Sequence, residues 1–408
     1  MEQIIRVCSK CSYRDAMEIL NGLLRRNEVD IFSYRTLQDT ICREGELMAG
    51  RIRDMADKEL EIHGFDPKTG HLREGSTLPG TLVNPKIPKG EQEQMLEEMK
   101  KALERYNATT EIEEEQIKWE NVVERIEDMP GHTVVLCVDD VGVHHQKESR
   151  QTTKEKPEEA AGSSWKKDAR SGKTTAETTV IYLRAKEGIY RFAAETVLRA
   201  VLTVLGYLLY WDMLNDRELL IFTDGARNIK SVIEDVFSFR PYSLNLDWYH
   251  LRKHCYEVFT MALTGGAANK KRNEKIRHHF EKRLFAGNIE AAMKYLDELD
   301  PCIIKNQKKI EEIKGYIERK REGIYVYAMR KQLGLINSSN QGEKSNDLIV
   351  AQRCKHNGMS WTYEGLNGMR NIKLTILNQE MNWCTTKMLT FHPVALTPKV
   401  VCQYDQVA

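Results

Sequence analysis

Two short apolar runs, far apart in the chain, each stop at an aspartate, and they constrain the fold more than anything else in the sequence. One reads His-Thr-Val-Val-Leu-Cys-Val-Asp139-Asp140 and the other Glu-Leu-Leu-Ile-Phe-Thr-Asp224-Gly-Ala. Apolar, largely β-branched runs of this length are strands buried in a sheet, and a carboxylate at the end of one is held rigidly at the sheet's rim. Two rim carboxylates from two strands are the start of a divalent-cation site, and hence of phosphoryl-transfer chemistry.

The segments around these strands alternate in type. A strand at 133–139 opens the central region. Strands at 178–183 and 189–193 follow, joined by Lys186-Glu187-Gly188 as a hairpin. A helix at 194–212 precedes the strand that ends at Asp224. An amphipathic helix with Ile229, Val232, Ile233 and Val236 then leads to an apolar run at 242–247. Strand, hairpin, helix, strand, helix, strand predicts a mixed α/β sheet with helices on its faces. Residues 146–178 are rich in Lys, Glu, Ser, Thr and Gly and read as a long mobile loop. The most apolar stretch, 194–214, carries Glu195, Thr196, Arg199 and Asp212, so it reads as a buried helix rather than a membrane span.

Residues 1–64 are helical in pattern. Ala16, Ile19, Leu20, Leu23 and Leu24 recur at helical spacing, and the polar break Arg26-Asn27-Glu28 follows. Ser33 caps a second helix with Leu37 and Ile41, which Gly45 ends, and Met48, Ile52 and Met55 mark a third. Three short helices with tight breaks fit a helix-turn-helix DNA-binding region as well as they fit a generic helical cap. Cys8-Ser-Lys-Cys11 has zinc-knuckle spacing, but no second Cys/His pair lies nearby, so a structural zinc site is expected only if a partner ligand comes from elsewhere. Residues 65–130 form a linker with Pro67, Gly70, Pro79, Gly80, Pro85 and Pro88, then a charged helical stretch.

Residues 251–336 are helical and locally basic. Lys270, Lys271, Arg272, Lys275 and Arg277 form one cluster; Lys305, Lys308, Lys309, Lys314, Arg319, Lys320 and Arg321 form another. Such clusters suit phosphate contacts, although a solvated helical surface would also explain them. The whole chain is nearly balanced, with 61 basic and 60 acidic residues, so only local patches speak for nucleic acid. Nine cysteines without a disulfide framework, no secretory signal and no membrane-length apolar run predict a reduced cytoplasmic protein.

Two carboxylates rarely complete a metal site, and residues 337–408 offer a third. Asn340-Gln341-Gly342-Glu343-Lys344-Ser345-Asn346-Asp347 opens a helix that continues through Ile349, Val350 and Arg353. Glu343, in its first turn, is placed to face a sheet edge; an ordinary favourable charge at a helix start is the plainer explanation. Asp347, one turn on, is its nearest rival. Asp247-Trp-Tyr-His250 ends the 242–247 run, and His250 is either a buried, hydrogen-bonded histidine or a group at the scissile phosphate. Gly358-Met359-Ser360-Trp361, followed by Gly365, reads as a turn with an aromatic anchor.

In this order, Val-Asp139, Thr-Asp224-Gly-Ala, Leu-Asp247-Trp-Tyr-His250, Gly-Glu343-Lys and Arg353…Gly358-Met-Ser-Trp361, the motifs resemble prokaryotic insertion-sequence transposases of the DDE type. The group resembled is the one related to eukaryotic Mutator-like elements, with a Cys/Asp-x-x-His signature and an all-helical insertion before the Glu. The resemblance covers residues 130–380. It implies an RNase H-like core in two parts (131–250 and 337–408) split by the insertion at 251–336, with Asp139, Asp224 and Glu343 as catalytic and metal-binding acids and His250 as an auxiliary group. It further implies Mg2+ (or Mn2+ in its place), transposon-end and target double-stranded DNA as substrates, and a homodimer in the synaptic complex, associated with the nucleoid rather than a membrane. DNA contacts would come from the first basic cluster and Arg353. A catalytically inactive, transposase-derived DNA-binding protein and a stand-alone RNase H-like nuclease are the competing expectations. The sequence departs from the simplest family pattern at Asp139-Asp140, where Val-Gly follows instead of Gly directly. Asp139 keeps register with Val135 and Cys137 and is the expected ligand; Asp140 is the alternate.

Overall fold

Val134, Leu136 and Val138 alternate with Val135 and Cys137, so both faces of β1 (Thr133–His144) are buried and it becomes the central strand. The computed structural model describes residues 1–24, 30–83, 88–123, 132–146, 165–167, 174–355 and 359–380. Arg26, Asn27, Glu28, Pro85, Gly358 and most of the expected 146–178 loop lie outside these residues. β1 pairs antiparallel with β3 (Thr174–Ala185) on one side. On the other side it pairs parallel with β5 (Glu218–Thr223), which pairs parallel with β6 (Ser243–Leu246). The outer side of β3 carries β2 (Trp165–Lys167) and β4 (Gly188–Ala194), both antiparallel. The protein is therefore α/β with a mixed sheet of six strands among the described residues, compatible with an RNase H-like core.

The sheet corrects two expectations. Part of the expected loop is strand, since β2 and the start of β3 pair with each other. β1 also continues beyond Asp139, because Val141 and Val143 keep the alternation and stay buried. Its parallel pairing to β5 nevertheless ends at Val138 and Thr223, so Asp139 and Asp140 sit where the parallel half of the sheet stops.

Three N-terminal helices, α1 (Glu2–Cys8), α2 (Tyr13–Leu24) and α3 (Tyr34–Ile62), come first, and α4 (Lys89–Ala108) follows. Ser33 does cap α3, accepting from the Thr36 amide. Gly45 does not end it: the helix runs on for 29 residues in all. The reason is tertiary. A Cβ on Gly45 would stand 2.2 Å from the Gly368 carbonyl oxygen, so the glycine lets two backbones touch rather than stopping a helix. The N-terminal helices consequently share one apolar cluster with Val141, Val143, Val180, Ile349, Val350 and Trp361.

One face of the sheet is covered by α5 (Val197–Tyr210) and α6 (Arg227–Val236). The other face is covered by α7 (Trp248–Ala262), α8 (Lys270–Phe285), α9 (Ile289–Asp297), α10 (Gln307–Lys320) and α11 (Tyr327–Gln332), which build a second core on Val135, Cys137, Leu220 and Phe222. α12 (Asn340–Asn346) then crosses β1, continues into a π-turn at Asp347–Ala351, and is followed by α13 (Tyr363–Leu377). Among the described residues, no helix is long and apolar enough to cross a membrane.

Candidate active site

Cys137 of β1 lies opposite Phe222 of β5, and Asp139 and Asp224 each follow two residues later, on the same face and at the same edge. Asp224 is fixed by the turn into α6, where its Oδ1 accepts from the Ala226 amide at 2.8 Å. That turn needs Gly225, which has φ +84°; a Cβ there would stand 2.9 Å from Leu246 Cδ1. Asp139 accepts from the Asp140 amide at 2.9 Å and from Asn346 Nδ2 at 2.6 Å. Burial, and then the charge of Asp224, push its carboxyl up to about 6, with His250 opposing them.

Asp140 belongs elsewhere. Its carboxylate accepts from Thr179 Oγ1 at 2.6 Å and from Asn228 Nδ2 at 3.3 Å. Burial raises its pKa against these two hydrogen bonds, with smaller contributions from the charges of Glu177 and Asp224. The period-2 alternation of a strand separates the two acids: Asp224 acts on both, while His250 and Glu343 act on Asp139.

Glu343 arrives on α12. Gly342 makes that approach possible, since a Cβ there would lie 3.1 Å from Cys137 Cβ. Burial raises the Glu343 pKa and His250 counters it. His250 stands in the first turn of α7, and Asp247, at the end of β6, caps that helix by accepting the His250 amide at 3.0 Å. Asp247 Oδ2 also lies 2.6 Å from His250 Nδ1, leaving Nε2 3.5 Å from Glu343 Oε1. The bond to Asp247 raises the pKa of His250 against the effect of burial.

Among the described residues, Asp247, His250 and Glu343 are the one group of three or more Asp, Glu, His or Cys side chains with ligand atoms within 4.8 Å of one another. These three could hold a metal ion. Asp247, however, is fully buried, and both its oxygens are engaged, Oδ2 by His250 and Oδ1 by the Ser339 amide at 2.8 Å. That fits an acid that orients the imidazole and anchors the start of α12. Asp139, Asp224 and Glu343 offer oxygen donors only; their ligand atoms do not all lie within 4.8 Å of one another, and the Asp139 carboxyl is raised first by burial and then by the charge of Asp224. This donor set fits a hard divalent cation.

Sequence reasoning missed Asn346, which lies one turn after Glu343 on α12 and ties that helix to Asp139. Asp347, the expected rival to Glu343, instead accepts from Gln352 Nε2 at 3.0 Å.

Arg353 is corrected outright. It was expected to contact phosphate, but it is 4% exposed. Its guanidinium lies 5.1 Å from the Tyr13 ring centre and 5.0 Å from that of Trp361, and Nε donates to the Cys8 carbonyl. In the basic cluster of α8, Lys270, Lys271 and Lys275 are exposed. Arg272 is held by Thr264 at 2.7 Å, and Arg277 stacks over Tyr256. Trp248 packs on Phe285 and Tyr327, and Trp361 is buried. The chain matches no protein-family model and no curated protein sequence.

Proposed function

We propose that this chain is a DDE transposase that cuts DNA at insertion-sequence ends and joins the freed 3′ ends to target DNA. The observation that carries the reading is the convergence of Asp139 and Asp224, from adjacent parallel strands, with Glu343 and His250 from two helices at one sheet edge. In this reading Asp139, Asp224 and Glu343 hold Mg2+, for which Mn2+ would substitute. When bound, the ions supply Lewis-acid activation of a water or 3′-hydroxyl and stabilise the leaving oxygen. The protein's own part is positional. β1 and β5 fix Asp139 and Asp224 on rigid backbone, Asn346 locks the Asp139 rotamer, and Asp247 holds the Nδ1 side of His250 so that Nε2 faces Glu343. A protonated His250 can donate to Glu343 and orient it. DNA would be held by exposed cations of the helices between β6 and α12.

The test is a strand-transfer assay with Mg2+ and DNA carrying candidate terminal inverted repeats. The reading expects 3′-hydroxyl ends and joined products from the wild type and neither from Asp224→Asn. Near-native activity of Asp224→Asn would sink the assignment. Cleavage without joining would favour the stand-alone nuclease, and DNA binding without cleavage the inactive derivative.

A further inference from the structure

Beside Asp224, on the β6 side, lies a cavity of about 290 Å³. Its walls are the end of β5, β6, Lys230 of α6 and the last residues of α10, Arg319 and Lys320. A water occupies about 30 Å³ of liquid, so the space takes a hydrated anionic group. Lys230 is shared by Glu234 at 3.4 Å and Glu322 at 3.5 Å, and with Arg319 and Lys320 the three cations exceed the two acids of the lining by one charge. Among the described residues, neither Arg319 nor Lys320 forms an ion pair with a carboxylate.

Cations in a last helical turn favour the helix dipole, and that alone would account for their presence on α10. It does not account for where Lys320 goes. Its half-buried side chain leaves the helix and donates to the carbonyl of Gly225, the residue after Asp224. An ammonium has three N–H donors, so two remain for a ligand. The positive φ of Gly225 and its lack of a Cβ open this path, since a Cβ there would stand 3.2 Å from Lys320 Nζ.

We propose that this cavity seats a backbone phosphate of the DNA strand that runs past Asp139 and Asp224, with Arg319 and Lys320 as its ligands. The proposal rests on the reading of the carboxylate site as one that acts on DNA. It assigns strand positioning at that site to the end of α10 rather than to the cluster of α8. A phosphate held next to the reacting one fixes the register of the strand without reading its sequence.

The experiment measures binding of the full-length protein to a labelled duplex by fluorescence anisotropy across a salt series. Each lost phosphate contact lowers the slope of log affinity against log salt by about 0.9. Because both cations hold the one phosphate, the double variant Arg319→Ala/Lys320→Gln is expected to lower it by that amount and each single variant by part of it, while Arg319→Lys and the control Lys186→Ala, in the exposed β3–β4 turn, keep the wild-type slope. Melting curves matching the wild type establish that the variants are folded. A wild-type slope in the double variant Arg319→Ala/Lys320→Gln would overturn the proposal and leave the transposase reading standing. Failure of the wild type to bind DNA at all would overturn both. Inorganic phosphate is titrated separately. Binding that is lost in Arg319→Ala while the DNA slopes stay unchanged would make this a free-phosphate site and also overturn the proposal.

Discussion

Asp139→Asn should make the metal-free protein more stable while it abolishes strand chemistry. The wild-type carboxyl rises from 3.8 to about 6, mainly through burial and then through Asp224. Its native state therefore holds a proton more tightly than the unfolded chain does. The resulting penalty is absent below a pH of about 4, grows between 4 and 6, and is complete above about 7. A rise of about two units, at about 1.4 kcal/mol each, costs the wild type up to about 3 kcal/mol at pH 8. Asparagine has nearly the same shape and no charge. Its amide also finds a partner: Asn346 now donates to Asp139 through Nδ2, while its own Oδ1 is buried without a partner among the described residues. Turning the Asn346 amide over lets that oxygen accept from the new side chain. The assay is the urea midpoint in EDTA, measured at pH 5 and pH 8. The advantage of the variant should grow by about 1–1.5 kcal/mol between the two. Equal stabilities at pH 8, or a gap that ignores pH, would refute the view that Asp139 is an uncompensated carboxylate.

Gly45→Ala drives a methyl into the Gly368 backbone and should cost about 2 kcal/mol net, the overpacking penalty less the gain in helix propensity. Gly50→Ala on the same helix has nothing within 4 Å of its Cβ and should instead raise stability by about 0.5–1 kcal/mol; thermal melts separate the two. Glu380, which accepts a hydrogen bond from Tyr190, is pushed up to about 8 by burial. Wild-type stability should therefore fall between pH 4.5 and 8, and Glu380→Gln should remove that fall in denaturant midpoints taken across the range. Arg353→Met should lose about 1–3 kcal/mol of stability and leave the salt slope of DNA binding unchanged, as expected of a packing residue.

The sheet was legible because its strands are written in local alternation: Val134 to Val138 needed no partner to be recognised, and the order of strands and helices carried the mixed topology. Gly45 was not legible, because a glycine within a helical pattern is either a stop or a close approach, and only Gly368, far along the chain, decides between them. The N-terminal helices follow the same logic. Ala16 and Leu20 are buried while Ile19, Leu23 and Leu24 stay exposed, so their spacing marked a helix without saying which apolar positions face the core.

At the candidate site, parity did most of the work. Counting two residues on from Val135 and Cys137 separates Asp139 from Asp140, and the hydrogen bonds of Thr179 and Asn228 to Asp140 agree with that count. The same reasoning, applied to the helix after Glu343, would have removed Arg353 from the phosphate contacts. Arg353 lies three and four residues beyond Val350 and Ile349, both fully buried, so it shares their apolar face. A cation on such a face either extends its stem to reach water or is enclosed, and Tyr13 and Trp361 enclose this one. The link from Asn346 to Asp139 spans 207 residues of sequence, and no periodicity could announce it. Its place is nonetheless informative. Asn346 is the last residue before the π-turn at Asp347–Ala351, which inserts an extra residue into the helical phase. That insertion lets Glu343 and Asn346 face β1 while Ile349 and Val350 turn into the N-terminal cluster. The candidate site and the N-terminal helices are thus held by one continuous segment, and a change that straightens the turn must disturb both.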